Sequence, residues 1–303
     1  MSLCQKRVAD GATVIWTPAP TAEADYDPQL AISTATILPN QRGESMSATP
    51  LRKLYRSIGK NLAQDKRTCN EMIAGLKRSA EGNLASMFAE SLEINSAFDG
   101  IAQPFLNATS SKARKKLTSG SRGDNRIVYL LSERETVAVI NGPRGYAFRY
   151  VGHQVPPFRQ EGVGRPRSGA GGIDYTAVAG KTPVLGEIKR SGDKNAFFAF
   201  VQLLTYLSEM ATPNQVMRAT KHKEFGVPLK DPQQFDLHVL LGDLNKRSAT
   251  LGLIEPTRQL AELFRERLGR QHGRLLGKTL CLEMNSAAFA ESPDSTLGCL
   301  WVA

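Results

Sequence analysis

"GGIDYTAVAGKTPVLGEIK", residues 171–189, decides the fold. Two short apolar runs flank the turn "AGKTP", so the stretch predicts a β-hairpin. Three ionisable side chains sit inside those runs: Asp174 in the first, Glu187 and Lys189 in the second. Strand interiors disfavour such residues, and buried charge is costly unless it is paired or holds a metal. Pairing the strands about Lys181 sets Val178 opposite Val184 and Asp174 opposite Ile188, so Asp174 lies beside both Glu187 and Lys189. Glu187 and Lys189 are two apart and share one face of their strand. Two carboxylates and one ammonium thus gather at one end of a sheet. That set suits Mg²⁺, which takes one or two carboxylates, several waters and substrate phosphate oxygens. Lys189 could then orient the attacking water or offset charge in the transition state. The plainer alternative is an ion pair between Lys189 and Glu187 or Asp174.

Downstream, "NAFFAFVQLLTYLSEM" predicts a helix with Asp193 as its N-cap. It is apolar nearly all round and is expected to lie buried against the sheet. Gln202 and Tyr206 are four apart and neighbours on its surface. "FDLHVLLGDL" and "ATLGLIE" read as strands, "PTRQLAELFRERL" as a helix beginning at Pro256, and "KTLCLEM" as a final strand. Upstream, "RIVYLLSERETVAVINGPRGYAFRYVGHQ" reads as three strands with turns near "SERE" and "NGPRG". "FRQEGVGRPRSGAGG" is a Gly/Arg loop leading into the hairpin. Interleaved strands and helices predict an α/β core over residues 127–303. Residues 107–126 are polar and basic, a linker or loop. Residues 1–106 form an N-terminal region. "ATVIW" and "AISTATIL" are candidate strands, and the pattern turns helical from Thr49, the expected cap before Pro50. The first helix of the core falls at 79–97.

Asp174, twelve intervening residues, then Glu187-Ile188-Lys189 resembles the PD-(D/E)XK nuclease superfamily. "QLLTY", carrying Gln202 and Tyr206, resembles the Gln-x-x-x-Tyr element of one large subset. In that family the aspartate lies on the second core strand, the Glu-x-Lys on the third and Gln-x-x-x-Tyr on the next helix. All three occur here in that order. The resemblance spans roughly residues 80–245 and implies a restriction-endonuclease-like mixed β-sheet flanked by helices. It implies Mg²⁺, with Mn²⁺ as a substitute, held by Asp174, Glu187 and the Ile188 carbonyl. Lys189 would position water, and Gln202 and Tyr206 would support the site. Gly172-Ile173, rather than a proline, precedes Asp174. The family often supplies a further acid from its first helix. With Leu84 as origin, Glu81 falls at ~60°, at the edge of the apolar face, and Glu90 at ~240°, opposite it. Glu81 is therefore the candidate, or else a first-turn acid favoured by the helix dipole.

The formal net charge is +10. Residues 110–170 hold twelve Lys and Arg against four Asp and Glu, a surplus of eight placed just before Asp174. Such a block suits phosphate neutralisation. Arg159, Arg165 and Arg167, with Lys115 and Lys116, are the candidate phosphate contacts. A nuclease acting on nucleic acid, DNA first, is the expected function. The rivals are a non-catalytic nucleic-acid-binding protein retaining the nuclease fold, and a structural protein whose hairpin holds only an ion pair. "AGKT" lacks the earlier glycine of a phosphate-binding loop, since position 175 is Tyr. No Gly-x-Ser-x-Gly elbow occurs. His153, His222, His238 and His272 have no metal spacing, and no cysteine pair has Cys-x-x-Cys spacing. The most apolar segment is too short to span a bilayer. A cytoplasmic protein is expected.

Overall fold

The structure is a computed structural model that describes residues 5–7, 13–15, 49–62, 65–80, 83–97, 102–103, 117–155, 159–160, 172–190, 195–221, 234–244, 251–292, 294 and 296–303. It divides into two compact units, Met1–Met46 and Ser47–Ala303. In the first, β1 (Gln5–Arg7) and β2 (Thr13–Ile15) pair antiparallel with Lys6 opposite Val14. β2 falls within the expected strand "ATVIW". "AISTATIL" lies outside the described residues.

The second unit opens with helices whose starts are set by caps. In α1 (Pro50–Leu62), Pro50 takes the first position and the Arg52 amide donates to Thr49 Oγ1 (3.4 Å). Asp65 caps α2 (Lys66–Arg78), and Asn83 caps α3 (Leu84–Ala97) through the amides of Ala85 (2.9 Å) and Ser86 (3.1 Å). There follow β3 (Ala102–Gln103), α4 (Asp124–Ser132), β4 (Val137–Ile140), β5 (Ala147–Val155) and β6 (Arg159–Gln160). The hairpin is β7 (Ile173–Ala179) and β8 (Thr182–Arg190). Beyond it come α5 (Ala196–Met210), α6 (Pro213–Lys221), β9 (Phe235–Gly242), α7 (Leu251–Arg267) and α8 (Gly269–Gly273). β10 (Leu276–Met284), α9 (Ser286–Glu291) and β11 (Thr296–Val302) complete it.

The architecture is mixed α/β, a seven-stranded mixed sheet flanked by helices. Its hydrogen-bonded circuit closes on itself in the order β10-β11-β4-β5-β7-β8-β9. β5, β7 and β8 form an antiparallel meander. β9 runs parallel to β8, and β10 parallel to β9. A parallel step needs a crossover, and α5 begins the one between β8 and β9.

Side-chain alternation along the strands gives two apolar clusters. One joins α1–α3, α5 and α7 to strand residues such as Val178, Leu185, Val239 and Trp301. The other takes residues from all seven strands, among them Val139, Ala177, Ile188 and Leu282, and is completed by α4 and Phe289 of α9. Every residue of α5 is buried, as its all-round apolarity predicts. Polar links hold the N-terminal helices to each other and to α5. The Leu51 amide donates to Ser91 Oγ (3.1 Å), Asn95 Nδ2 donates to the Ser208 carbonyl (3.1 Å), and the Arg52 guanidinium donates to Glu209 Oε1 (2.6 and 2.8 Å).

Several local expectations are corrected. "RIVYLL" is helix, not strand, because Ile127, Val128 and Leu131 bury one helical stripe against the second cluster. "LGLIE" is the first turn and more of α7, not a strand. Leu253, Thr257, Leu260 and Phe264 are all buried at helical spacing, and this packing holds the helix through Pro256. Asn195, not Asp193, caps α5: its Oδ1 accepts from the Phe198 amide (2.9 Å). Asp193 lies outside the described residues. β10 is not the last strand, since β11 follows and bridges it to β4.

The hairpin register also differs by one residue. Ala177, not Val178, faces Val184, and Ala179 pairs with Thr182. Gly180 and Lys181 alone make the turn, with Gly180 at φ +60°. A two-residue turn with positive φ at its first central residue matches the right-handed twist of the paired strands. Gly186 faces Tyr175, and a Cβ there would fall 2.1 Å from the tyrosine ring. That ring is buried and its hydroxyl is bonded to His238 (3.0 Å), so it has nowhere to go. Gly186→Ala is expected to lower stability by about 1–3 kcal/mol, the usual cost of overpacking. A urea midpoint unchanged from the parent would refute this packing argument.

Candidate functional site

One further step along the observed register brings Asp174 opposite Glu187, on the same face as Lys189 and towards α5. The one-residue correction thus opposes the two carboxylates directly. Asp174 is half-buried at the mouth of the site, whereas Glu187 is 1% and Lys189 5% exposed. Asp174 Oδ2 accepts from the Ile188 amide (2.9 Å) and Oδ1 from Gln154 Nε2 (3.0 Å). Glu187 Oε1 accepts from Lys189 Nζ, and its Oε2 is buried without a hydrogen-bond partner. Lys189 also donates to Gln202 Oε1 (3.3 Å) and lies over the Phe198 ring (5.5 Å).

Gln202 and Tyr206 explain their spacing here. Gln202 Nε2 donates to the Tyr206 hydroxyl (2.6 Å), which donates to the Gly172 carbonyl (3.0 Å). One helix face therefore ties the ammonium on β8 to the residue entering β7. These polar groups lie on a buried helix because each has a partner, which removes the cost of burying them.

Burial pushes the Glu187 carboxyl well up from its ordinary value, Asp174 raises it further, and Lys189 opposes both. Burial, then Glu187, raises the Tyr206 hydroxyl, and the same two causes raise that of Tyr55 on α1. Tyr55 packs against Phe198 with its ring tilted by 34° (centroids 4.9 Å apart). Gln154, Tyr55 and Phe198 are therefore site neighbours that the sequence reading missed. Only the helical position of Tyr55 and Phe198 hinted at them, and no pattern marked Gln154.

The donor set fits a small hard cation. Glu187 Oε2 is an orphaned buried oxygen, and one or two carboxylates are what Mg²⁺ takes from protein. Among the described residues, no three His, Cys, Asp or Glu converge on a metal position. Any ion here would rest on Asp174, Glu187, the main chain and water. The Ile188 side chain is buried in the second cluster, so any part it plays is through its backbone. Glu81, Lys115, Lys116, Arg165 and Arg167 lie outside the described residues, as does the Arg159 side chain, although Arg159 itself belongs to β6.

Within the basic block, Arg134 is committed to structure: it donates to the carbonyls of Phe289 and Ser292 (both 3.1 Å). Arg126 donates to the Ser119 carbonyl (3.0 Å) and lies over Tyr129. Arg122 and Arg144 are exposed. Three histidines have structural surroundings. His153 Nδ1 meets the Tyr150 hydroxyl (2.8 Å), and His272 packs against Phe88. His238 sits on the other face of β9 between two tyrosines. Tyr146 gives its proton to Asp236 (2.7 Å), so it accepts from His238 Nε2 (2.9 Å), leaving Nδ1 to accept from Tyr175. Burial pushes His238 down to about 3, so it stays neutral. His222 lies outside the described residues. Among the described residues, no helix is long and apolar enough to cross a membrane.

Comparisons with protein-family models, curated proteins and solved structures gave no match.

Proposed function

We propose that the protein is a divalent-metal-dependent nuclease with a restriction-endonuclease-like core, hydrolysing phosphodiester bonds of nucleic acid. DNA is the substrate class that the sequence resemblance implies. The observation that carries the reading is the opposed pair Asp174 and Glu187, with a buried unpaired Glu187 oxygen beside Lys189. The order of elements supports it. Asp174 lies on the second strand of the β5-β7-β8 meander, Glu187 and Lys189 on the third, and Gln202 and Tyr206 on the next helix.

In this reading Asp174 and Glu187 hold Mg²⁺. A bound ion there would supply Lewis-acid chemistry, polarising a phosphate and lowering the pKa of a water. Lys189 is held by Glu187 and Gln202, so its ammonium stays beside the carboxylates, where it would serve as a donor to a water or a phosphate oxygen. The Ile188 amide holds the Asp174 carboxylate from below. Cations of the 110–170 block neutralise flanking phosphates.

The test is incubation with labelled linear, circular and single-stranded DNA and RNA, in Mg²⁺, Mn²⁺ or EDTA. Cleavage that requires a divalent ion is expected. Cleavage that survives EDTA overturns the metal mechanism. Binding without cleavage under every condition points to a non-catalytic nucleic-acid-binding protein.

A further inference from the structure

We propose that Gln154 is a positioning residue for the metal-binding carboxylate, set in a left-handed backbone conformation that aims its amide at Asp174. This rests on the metal-dependent reading above. Gln154 has φ +49° inside β5. Non-glycine residues rarely adopt that region, and where they do the surroundings hold them there, often at functional sites. Its neighbours are fixed on both sides: His153 pairs with Tyr175 and Val155 with Ile173, and Val155 is fully buried. The chain therefore cannot relax along the strand. The exposed Gln154 side chain finds one described partner, Asp174 Oδ1 (3.0 Å).

The consequence is chemical. With Oδ2 on the Ile188 amide and Oδ1 on Gln154, both oxygens are held and the carboxylate plane is set. A neutral amide orients the carboxylate while leaving its charge for a cation, whereas a Lys or Arg there would compete with the metal. Each carboxylate oxygen keeps a further lone pair for coordination.

Gly172 completes the arrangement. A Cβ on Gly172 would lie 3.1–3.4 Å from the Gln154 backbone, so the absence of a side chain lets the two strands close there. The Gly172 carbonyl is the one that Tyr206 holds. The Gln202–Tyr206 pair thus braces the residue that packs against the Gln154 backbone. Lys189 and Asp174 become the two ends of one hydrogen-bonded and packed circuit.

The experiment compares the parent with Gln154→Gly, Gln154→Met and Asp174→Ala by calorimetric Mn²⁺ titration, thermal unfolding and a cleavage assay over a range of Mn²⁺. Gln154→Gly removes the amide and also the strain, since glycine accepts φ near +50° freely. It is expected to weaken Mn²⁺ binding by roughly tenfold to a hundredfold, as loss of a ligand-orienting hydrogen bond does, without lowering the unfolding midpoint. Gln154→Met keeps length but not the donor, and is expected to weaken Mn²⁺ binding to the same extent. Cleavage by both variants should recover at saturating Mn²⁺, because their defect is in holding the ion. Parent-like Mn²⁺ affinity in both Gln154 variants, with Asp174→Ala impaired, overturns the inference and leaves the metal reading standing. A parent that binds no Mn²⁺, or an Asp174→Ala variant that binds as the parent does, overturns both.

Discussion

Asp174→Asn, Glu187→Gln and Lys189→Met each lower divalent-ion-dependent cleavage by at least a hundredfold to a thousandfold, while nucleic-acid binding stays near the parent's. Removing one preorganised charge-stabilising group costs about 10²–10³ in rate, and the two carboxylates also supply the ion itself. Binding is spared because affinity comes from cations spread over many phosphates, whereas the site handles one. The isosteric changes are chosen because of burial. Lys189 and Glu187 are a buried pair, and truncating either to alanine would add a packing defect to the loss of charge. Glu187→Gln keeps an acceptor for Lys189, and Lys189→Met keeps the contact with Phe198. Calorimetry separates the roles. Asp174→Asn and Glu187→Gln should bind Mn²⁺ weakly, whereas Lys189→Met should bind it at least as well as the parent, since the ammonium is not a ligand. Parent-like cleavage rates in all three variants would reduce the hairpin to a salt-bridged corner of the sheet.

Arg52→Ala is expected to cost about 3–5 kcal/mol of unfolding free energy, the usual result of stranding one member of a buried ion pair. Arg52 is 4% exposed and Glu209 not at all, and both guanidinium contacts go to one oxygen, Glu209 Oε1. Among the described residues Glu209 Oε2 has no hydrogen-bond partner, and the charge of the carboxylate is balanced by Arg52. Burial raises the Glu209 pKa above its ordinary 4.5, and Arg52 holds it back. The pH dependence follows from that direction. A folded-state pKa above the unfolded one means that the native protein binds the proton more tightly. Stability from Glu209 is therefore greatest below its unfolded pKa and falls as pH rises through the folded value. Losing Arg52 raises the folded value further. The gap between parent and variant should be small near about pH 4, below the ordinary value of the carboxyl, and wider near about pH 8. Adding Glu209→Gln to the variant should recover most of the loss. Equal midpoint shifts at both pH values, or no recovery, would show that the pair acts through packing alone.

Much of the arrangement was legible residue by residue. The hairpin, the shared face of Glu187 and Lys189, the burial of α5, and the Thr49-Pro50 helix start all follow from local geometry. Local geometry is short-ranged, and a period of two along a strand or a cap at a helix start needs no knowledge of distant residues. Where a reading depended on distant partners it went astray. "RIVYLL" and "LGLIE" carry strand-like composition, yet each buries a helical stripe that only the assembled clusters provide. Gln154 had no signal at all, because its contact with Asp174 spans 20 positions and depends on a strained φ.

By itself, then, the sequence determined which residues could form the site: two carboxylates and an ammonium on adjacent strands, followed by a glutamine and a tyrosine one helical turn apart. Spacing alone puts Glu187 with Lys189, and Gln202 with Tyr206, each pair on one face. The tertiary structure decided how they meet. A two-residue turn set the register that opposes Asp174 to Glu187, closure of the sheet through β10, β11 and β4 fixed the strands, and burial beneath α5 left one glutamate oxygen without a partner. Register, closure and desolvation are sums over contacts far apart in the chain, so no local pattern encodes them.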